Sequence, residues 1–142
     1  MPIENLVRRP LKTLGPDDSC EEAAALMRDE NVGAVVVTDA DRRVLGMVTD
    51  RDIAVRVVAA GEDPRRVHLR DVMSGEPIFL SKAGHLGQLV SAMRDMGVRR
   101  IPLVDEDGRA CGLVAMDDLL VLLSDQLAEL AQAIRKEIQP PA

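Results

Sequence analysis

The chain contains one pattern twice. Sliding the 142-residue sequence by 66 positions lays "MRDENVGAVVVTDADRRVLGMVTDRDI" (27–53) over "MRDMGVRRIPLVDEDGRACGLVAMDDL" (93–119) with no gap. Ten of these 27 positions are identical, among them Asp39/Asp105, Arg43/Arg109, Gly46/Gly112 and Asp52/Asp118. The same offset sets "ENLV" (4–7) on "RDVM" (70–73) and Leu14 on Leu80. A repeat of this length reads as one supersecondary unit used twice. A unit this small buries only about 60% of the surface its unfolded chain exposes. Two units are therefore expected to cover each other's sheet faces as a pair with pseudo-twofold symmetry. Such a pair leaves clefts between its halves, and clefts between domains are favoured ligand sites.

Each copy predicts the same order, β-α-β-β-α, so the fold class is α+β with two tandem units. Short strands are expected at Leu11–Leu14 and Ile78–Leu80. In the first copy a helix opens at Ser19-x-x-Glu22, which has capping-box form, and runs to about Asn31 with Ala23, Leu26 and Met27 on one face. "GAVVVTD" reads as a buried strand, "ADRR" as a tight turn, and "VLGMV" as an antiparallel partner. A second helix is expected from about Asp50 to Ala60, and "AAGEDPRRVH" (59–68) has the Gly and Pro of a linker. The expected divisions are 1–62, a linker over 63–68, a second unit over 69–125 and a helical extension over 126–142.

Composition removes several functions. A formal charge of −6 opposes broad attraction to nucleic acid or an anionic membrane. Phe79 is the only aromatic residue, so stacking platforms for single strands are missing and the core must be aliphatic. No apolar run approaches the ~18 residues that span a bilayer. "MPIENLVRRP" does not read as a signal peptide, so the cytoplasm is the expected compartment. Cys20 and Cys111 form no C-x-x-C and read as buried small hydrophobes. His68 and His85 have no second ligand at zinc spacing, so no metal site is expected. No Ser/His/Asp set and no Cys with a nearby His is visible, which argues against an enzyme.

The stretch "GMVTDRD" (46–52) carries two readings. In one, Thr49 and Asp52 cap a helix start, satisfying orphan backbone donors, and Asp52 could pair with Arg56 one turn on. In the other, free N–H groups at that start and the Thr49 hydroxyl meet a phosphate, while Asp52 accepts from a ribose diol. "DRD" (50–52) also has the carboxylate spacing of a possible Mg²⁺ contact.

These features together resemble the tandem CBS-domain family, named after cystathionine β-synthase. The resemblance covers roughly residues 3–124 and rests on "GMVTDRDI", on "VRRIPLVDEDG" (98–108) and on the lead-in "LRDVMSGEPIFLS" (69–81). It implies a stand-alone regulatory pair, not an enzyme, whose ligand is an adenosine compound such as AMP, ADP, ATP or S-adenosylmethionine, and which acts on an unknown regulated protein. It further implies a site drawn from both halves. Thr49 and Asp52 would face Pro77 and Ile78 as a wall for adenine, Met47 and Val48 would add apolar contact, and Arg100 would clamp phosphate. In the second copy Ala115 stands where Thr49 stands in the first, so Asp118, with Arg99, marks a weaker second site.

From Met116 onward, Leu120, Leu123, Leu127, Leu130, Ile134 and Ile138 recur at three- and four-residue steps of one long helix. Its second half either folds back on its own chain or packs against a second one. CBS pairs often associate, so a homodimer is expected.

Overall fold

The computed structural model describes residues 2–7 and 10–139. The first unit comprises β1 (Thr13–Leu14), α1 (Cys20–Glu30), β2 (Ala34–Thr38), β3 (Val44–Thr49) and α2 (Asp50–Ile53). The second repeats it as β4 (Leu80–Ser81), α3 (Leu86–Met96), β5 (Arg100–Val104), β6 (Ala110–Ala115) and α4 (Met116–Ile138). Each makes a three-stranded sheet with the long strand in the centre, β1-β2-β3 and β4-β5-β6. The short first strand runs parallel to the centre and the third runs antiparallel to it. The expected order of elements and the mixed α+β class are those observed.

Local chemistry explains why the copies share the residues they do. Asp39 accepts from the N–H groups of Asp41 and Arg43, and Asp105 accepts from those of Asp107 and Arg109, each at 2.9 Å. This carboxylate-closed turn makes each hairpin. Both hairpins then carry a bulge at the same place, between Val37 and Thr38 and between Leu103 and Val104. α1 starts in the expected capping box, with Glu22 N–H donating to Ser19 Oγ and Ser19 N–H to Glu22 Oε2. It stops at Asn31, whose φ of 54° is left-handed.

Three aliphatic clusters hold the pair together. Val35, Val37 and Val48 pack on Cys20, Ala23, Met27 and Val57 on the helical side of the first sheet. Ile101, Leu103 and Val114 pack on Leu89, Met93 and Leu119 in the second. Between the sheets lie Val36 and Val44 from one unit and Val104 and Ala110 from the other. Strand alternation divides Val35 and Val37 from Val36, and the bulge, which adds one residue to β3 and to β6, turns Val44 and Ala110 to the face opposite Val48 and Val114. The turn joins in, with Ala110 N–H donating to the Arg42 carbonyl at 2.8 Å.

The lead-in to each copy packs on the other copy. Ile3 and Leu6, in a 3₁₀ turn, belong to the second unit's core, while Leu69 and Val72 belong to the first. The crossing explains the shared Gly46 and Gly112. A β-carbon on Gly46 would stand 3.0 Å from the Ser74 carbonyl, and one on Gly112 would stand 2.7 Å from the Val7 side chain.

Several local expectations change. The opening strands expected at Leu11–Leu14 and Ile78–Leu80 are only two residues long, Thr13–Leu14 and Leu80–Ser81. The helix expected to about Ala60 is α-helical only to Ile53 and widens into a π-helix over Ala54–Val58. Arg56 does not pair with Asp52, because its guanidinium donates to the Val72 carbonyl at 2.6 Å. Cys20 is buried as expected but Cys111 is exposed, because it is the extra residue of the second hairpin's bulge.

Candidate functional site

The two Gly-to-Asp motifs end β3 and β6 and open α2 and α4. In the first, Thr49 Oγ1 accepts from Asp52 N–H at 3.1 Å and Asp52 Oδ2 accepts from Thr49 N–H at 2.8 Å. The Asp50 N–H donates to the Gly33 carbonyl, and the Arg51 N–H to Asp50 Oδ1, both at 2.9 Å. The first three N–H groups of α2 are therefore all engaged, which corrects the expectation that they are free for an anion. Among the described residues, the Thr49 hydroxyl proton and Asp52 Oδ1 are left over. Thr49 and Asp52 are both half-buried.

The second motif differs. The Met116 N–H donates to the Arg99 carbonyl at 2.7 Å, as its counterpart Asp50 does to Gly33. Ala115 offers no hydroxyl, and among the described residues no acceptor engages the Asp117 N–H. In front of this helix start lies a cavity of about 380 Å³ between the units. Leu113, Ala115, Asp117, Asp118 and Arg100 line it from the second copy, and Pro10, Leu11, Lys12 and Asn31 to Ala34 from the first.

Arg100 opens β5 and pairs with Ala115 across the strand. Its side chain crosses to the first unit and lies against Gly33, a position that Asp50 Oδ2 also approaches. Arg99 points the other way and donates to Asp117 Oδ1 at 3.2 Å on the exposed rim. Lys12 donates to Glu30 at 2.5 Å, and that carboxylate raises the Lys12 ammonium above its usual pKa. With Lys12 and Arg99 so engaged, Arg100 is the cation in the cavity without an ion pair among the described residues. The arrangement offers a guanidinium for an oxyanion, apolar wall from Leu11 and Leu113, and the half-buried Asp118 carboxylate.

The sequence-predicted residues separate accordingly. Arg100, expected beside Thr49 and Asp52, lines the cavity of the other motif together with Asp118. Val48 is fully buried in the first core, so its side chain cannot give the apolar contact expected of it. Met47 is half-buried and is tied to the second copy's lead-in, its N–H donating to Ser74 Oγ at 3.3 Å and its carbonyl accepting from Ser74 N–H at 3.2 Å. That lead-in carries Pro77, exposed, and Ile78, half-buried. The cavity residues that sequence reasoning missed, Leu11, Lys12 and Leu113, are the 66-residue counterparts of Pro77, Ile78 and Met47. Applying the offset to those expected contacts identifies them.

A shallower groove of about 800 Å³ runs over the start of α1, lined by Asp17, Asp18, Glu21, Glu22, Arg28 and Arg65 among others. It includes no residue of either motif and lacks the aliphatic wall of the interunit cavity. Among the described residues, no group of three or more His, Cys, Asp and Glu side chains is placed to hold a metal ion. No helix among them is long and apolar enough to cross a membrane.

Comparison with known proteins agrees with this architecture. The CBS domain family model matches twice, over residues 3–59 and 69–125. The CBS domain-containing protein YhcV of Bacillus subtilis is 36% identical over 120 residues, covering 84% of this chain and 83% of that protein. The crystal structure of the CBS-domain-containing protein ATU1752 from Agrobacterium tumefaciens has a TM-score of 0.74 at 30% identity, covering 86% of this chain and 98% of that one. The CBS domain protein PAE2072 from Pyrobaculum aerophilum, complexed with AMP, has a TM-score of 0.78 at 25% identity, covering 87% and 97%. The duplicated β-α-β-β-α unit, its exchanged lead-ins and these matches lead to one conclusion: the chain belongs to the CBS-domain family and carries two CBS domains in tandem.

Proposed function

We propose that the protein is a regulatory module, not an enzyme, that binds an adenosine-containing ligand between its two CBS units and passes the binding event to a partner protein. The observation that carries this reading is the interunit cavity, where Arg100, Asp118 and an aliphatic wall converge. Arg100 supplies two parallel donors for a phosphate or carboxylate. Asp118 accepts from a sugar hydroxyl, and Leu11 and Leu113 flank the base. AMP, ADP, ATP and S-adenosylmethionine remain the candidate class. The AMP bound to PAE2072 supports the same class for this chain. The cavity supports the second motif as the principal site, with Thr49 and Asp52 forming the lesser one. Binding regulates only if the ligand's affinity differs between two conformations of the pair.

One observation favours a second reading, a ligand-free interaction module: Thr49 and Asp52 satisfy each other. Thermal melting with AMP, ADP, ATP, S-adenosylmethionine and GTP separates the two. A ligand at about 100 times its dissociation constant adds ~2.7 kcal/mol of stability, a plain rise in melting temperature. The regulatory reading expects the rise with adenosine compounds and not with GTP. An unmoved melting temperature across the panel leaves the interaction module.

A further inference from the structure

Lys12 stands just before β1, and Glu30 is the last residue of α1. The Lys12 ammonium donates to Glu30 Oε1 at 2.5 Å. Both side chains line the interunit cavity, together with Arg100, Asp117 and Asp118. The 66-residue offset takes Lys12 to Ile78 and Glu30 to Met96, so the other copy has an apolar pair where this one has an ionic pair. The position equivalent to Arg100 is Ala34. All three charges are therefore replaced by uncharged residues at the pseudo-symmetric places. Stability does not account for the pair. Its side chains are 60% and 27% exposed, and an ion pair so placed adds no more than about 1 kcal/mol. Its position accounts for it better. Glu30 and Gly33 are three residues apart, so their backbones lie within about 11 Å of each other. Arg100 lies against Gly33. A phosphate chain that starts at Arg100 therefore runs toward the Lys12–Glu30 pair.

We infer that Glu30 is a specificity-determining residue which, by holding Lys12, restricts the cavity to ligands with a single anionic group and turns away nucleoside di- and triphosphates. The inference rests on the reading of this cavity as an adenosine-ligand site and says which members of that class it takes. Among the described residues, Lys12 and Arg100 are the cations of the lining. The Arg100 guanidinium satisfies one phosphate or one carboxylate with two parallel donors. A second phosphate then meets an ammonium whose charge Glu30 already offsets, and it meets the Glu30 carboxylate itself. Like charges brought together in this way oppose binding. Arg99 gives no relief, because it donates to Asp117 on the exposed rim. Discrimination between related ligands comes from the group that repels the wrong one as much as from the group that attracts the right one. A neutral side chain at residue 30 would leave the Lys12 ammonium in place with its charge unspent, and so would turn it into a second phosphate clamp.

The test is titration calorimetry of the full chain with adenosine, AMP, ADP and ATP in the absence of divalent cations, which would mask phosphate charge. The native chain is expected to bind AMP more tightly than ADP or ATP. Glu30→Gln is expected to raise the affinity for ADP and ATP relative to AMP by roughly tenfold, the yield of one charge-assisted hydrogen bond. The gain is expected to vanish in the Glu30→Gln/Lys12→Met double variant, which keeps the length of both side chains. A native chain that binds ATP more tightly than AMP overturns the inference without any variant. So does a ratio that Glu30→Gln leaves unmoved, and in both cases the adenosine-ligand reading stands. A gain that persists in the double variant overturns the role of Lys12. A folded native chain that binds none of the four compounds overturns the adenosine-ligand reading, and the inference with it.

Discussion

The Arg100 guanidinium lies 2.6 Å from the point where a β-carbon on Gly33 would stand. The cleft can hold this arginine because residue 33 has no side chain. The pseudo-symmetric positions are Arg99 for Gly33 and Ala34 for Arg100, so the sequence does not repeat this pairing at the first motif. A methyl group at residue 33 meets the far end of a flexible side chain, which can swing away. Gly33→Ala is therefore expected to leave the fold intact, with a stability change within about 1 kcal/mol. It is expected to weaken phosphate-bearing ligands more than adenosine. Melting curves and titrations with AMP and adenosine check this, and equal affinities before and after the substitution count against Arg100 as the clamp.

Thr49→Ala removes the side chain that accepts the Asp52 N–H. Loss of such a cap costs about 1 kcal/mol. Because the interunit cavity lies at the other motif, AMP affinity is expected to change little. Denaturant unfolding and calorimetry on one preparation check both halves of the statement. A loss of affinity larger than the loss of stability would return the principal site to Thr49.

Ile3 is 1% exposed in the core of the second unit, although it precedes the first. Ile3→Ala is expected to cost roughly 2–5 kcal/mol, as other large-to-small core changes do. Hydrogen exchange is expected to speed up in β5 and β6 before β2 and β3. The reverse order would mean that the lead-in stabilises its sequence neighbour.

Asp105 is held below the usual aspartate pKa, chiefly by the Arg109 backbone N–H and further by that of Asp107. A carboxyl group with a depressed folded-state pKa contributes stability that is fully present above its unfolded value. That contribution is lost as pH falls through the lower folded value. The native chain is therefore expected to be more stable than Asp105→Asn at neutral pH. The gap should close as the solution is taken below the ordinary aspartate range, as followed by urea unfolding at a series of pH values. A gap independent of pH would remove the charge of Asp105 from the account.

Much of the fold was legible because its signals are local. The Asp39 and Asp105 turns and the Ser19–Glu22 box each act within five residues, and the 66-residue offset then doubles every reading. What could not be read depends on contacts between distant segments. The exchange of lead-ins places Ile3 and Leu69 in cores that their sequence neighbours do not share. The widening of the helix after Ile53 follows no residue pattern, and the structure offers no cause for it. The site was half legible. Among the expected residues Arg100 and Asp118 line the interunit cavity, whereas Thr49 and Asp52 line neither of the two hollows described, and it was Thr49 that drew attention to the first motif. Its hydroxyl there closes a helix end, whereas the missing hydroxyl at Ala115 accompanies the open cavity.

Calorimetric titration with AMP of the native chain, Asp118→Ala and Asp52→Ala tests the central claim most directly. The account expects saturable binding to the native chain, its loss in Asp118→Ala, and its survival in Asp52→Ala. No binding to the folded native chain, or binding that Asp52→Ala removes and Asp118→Ala preserves, would contradict it.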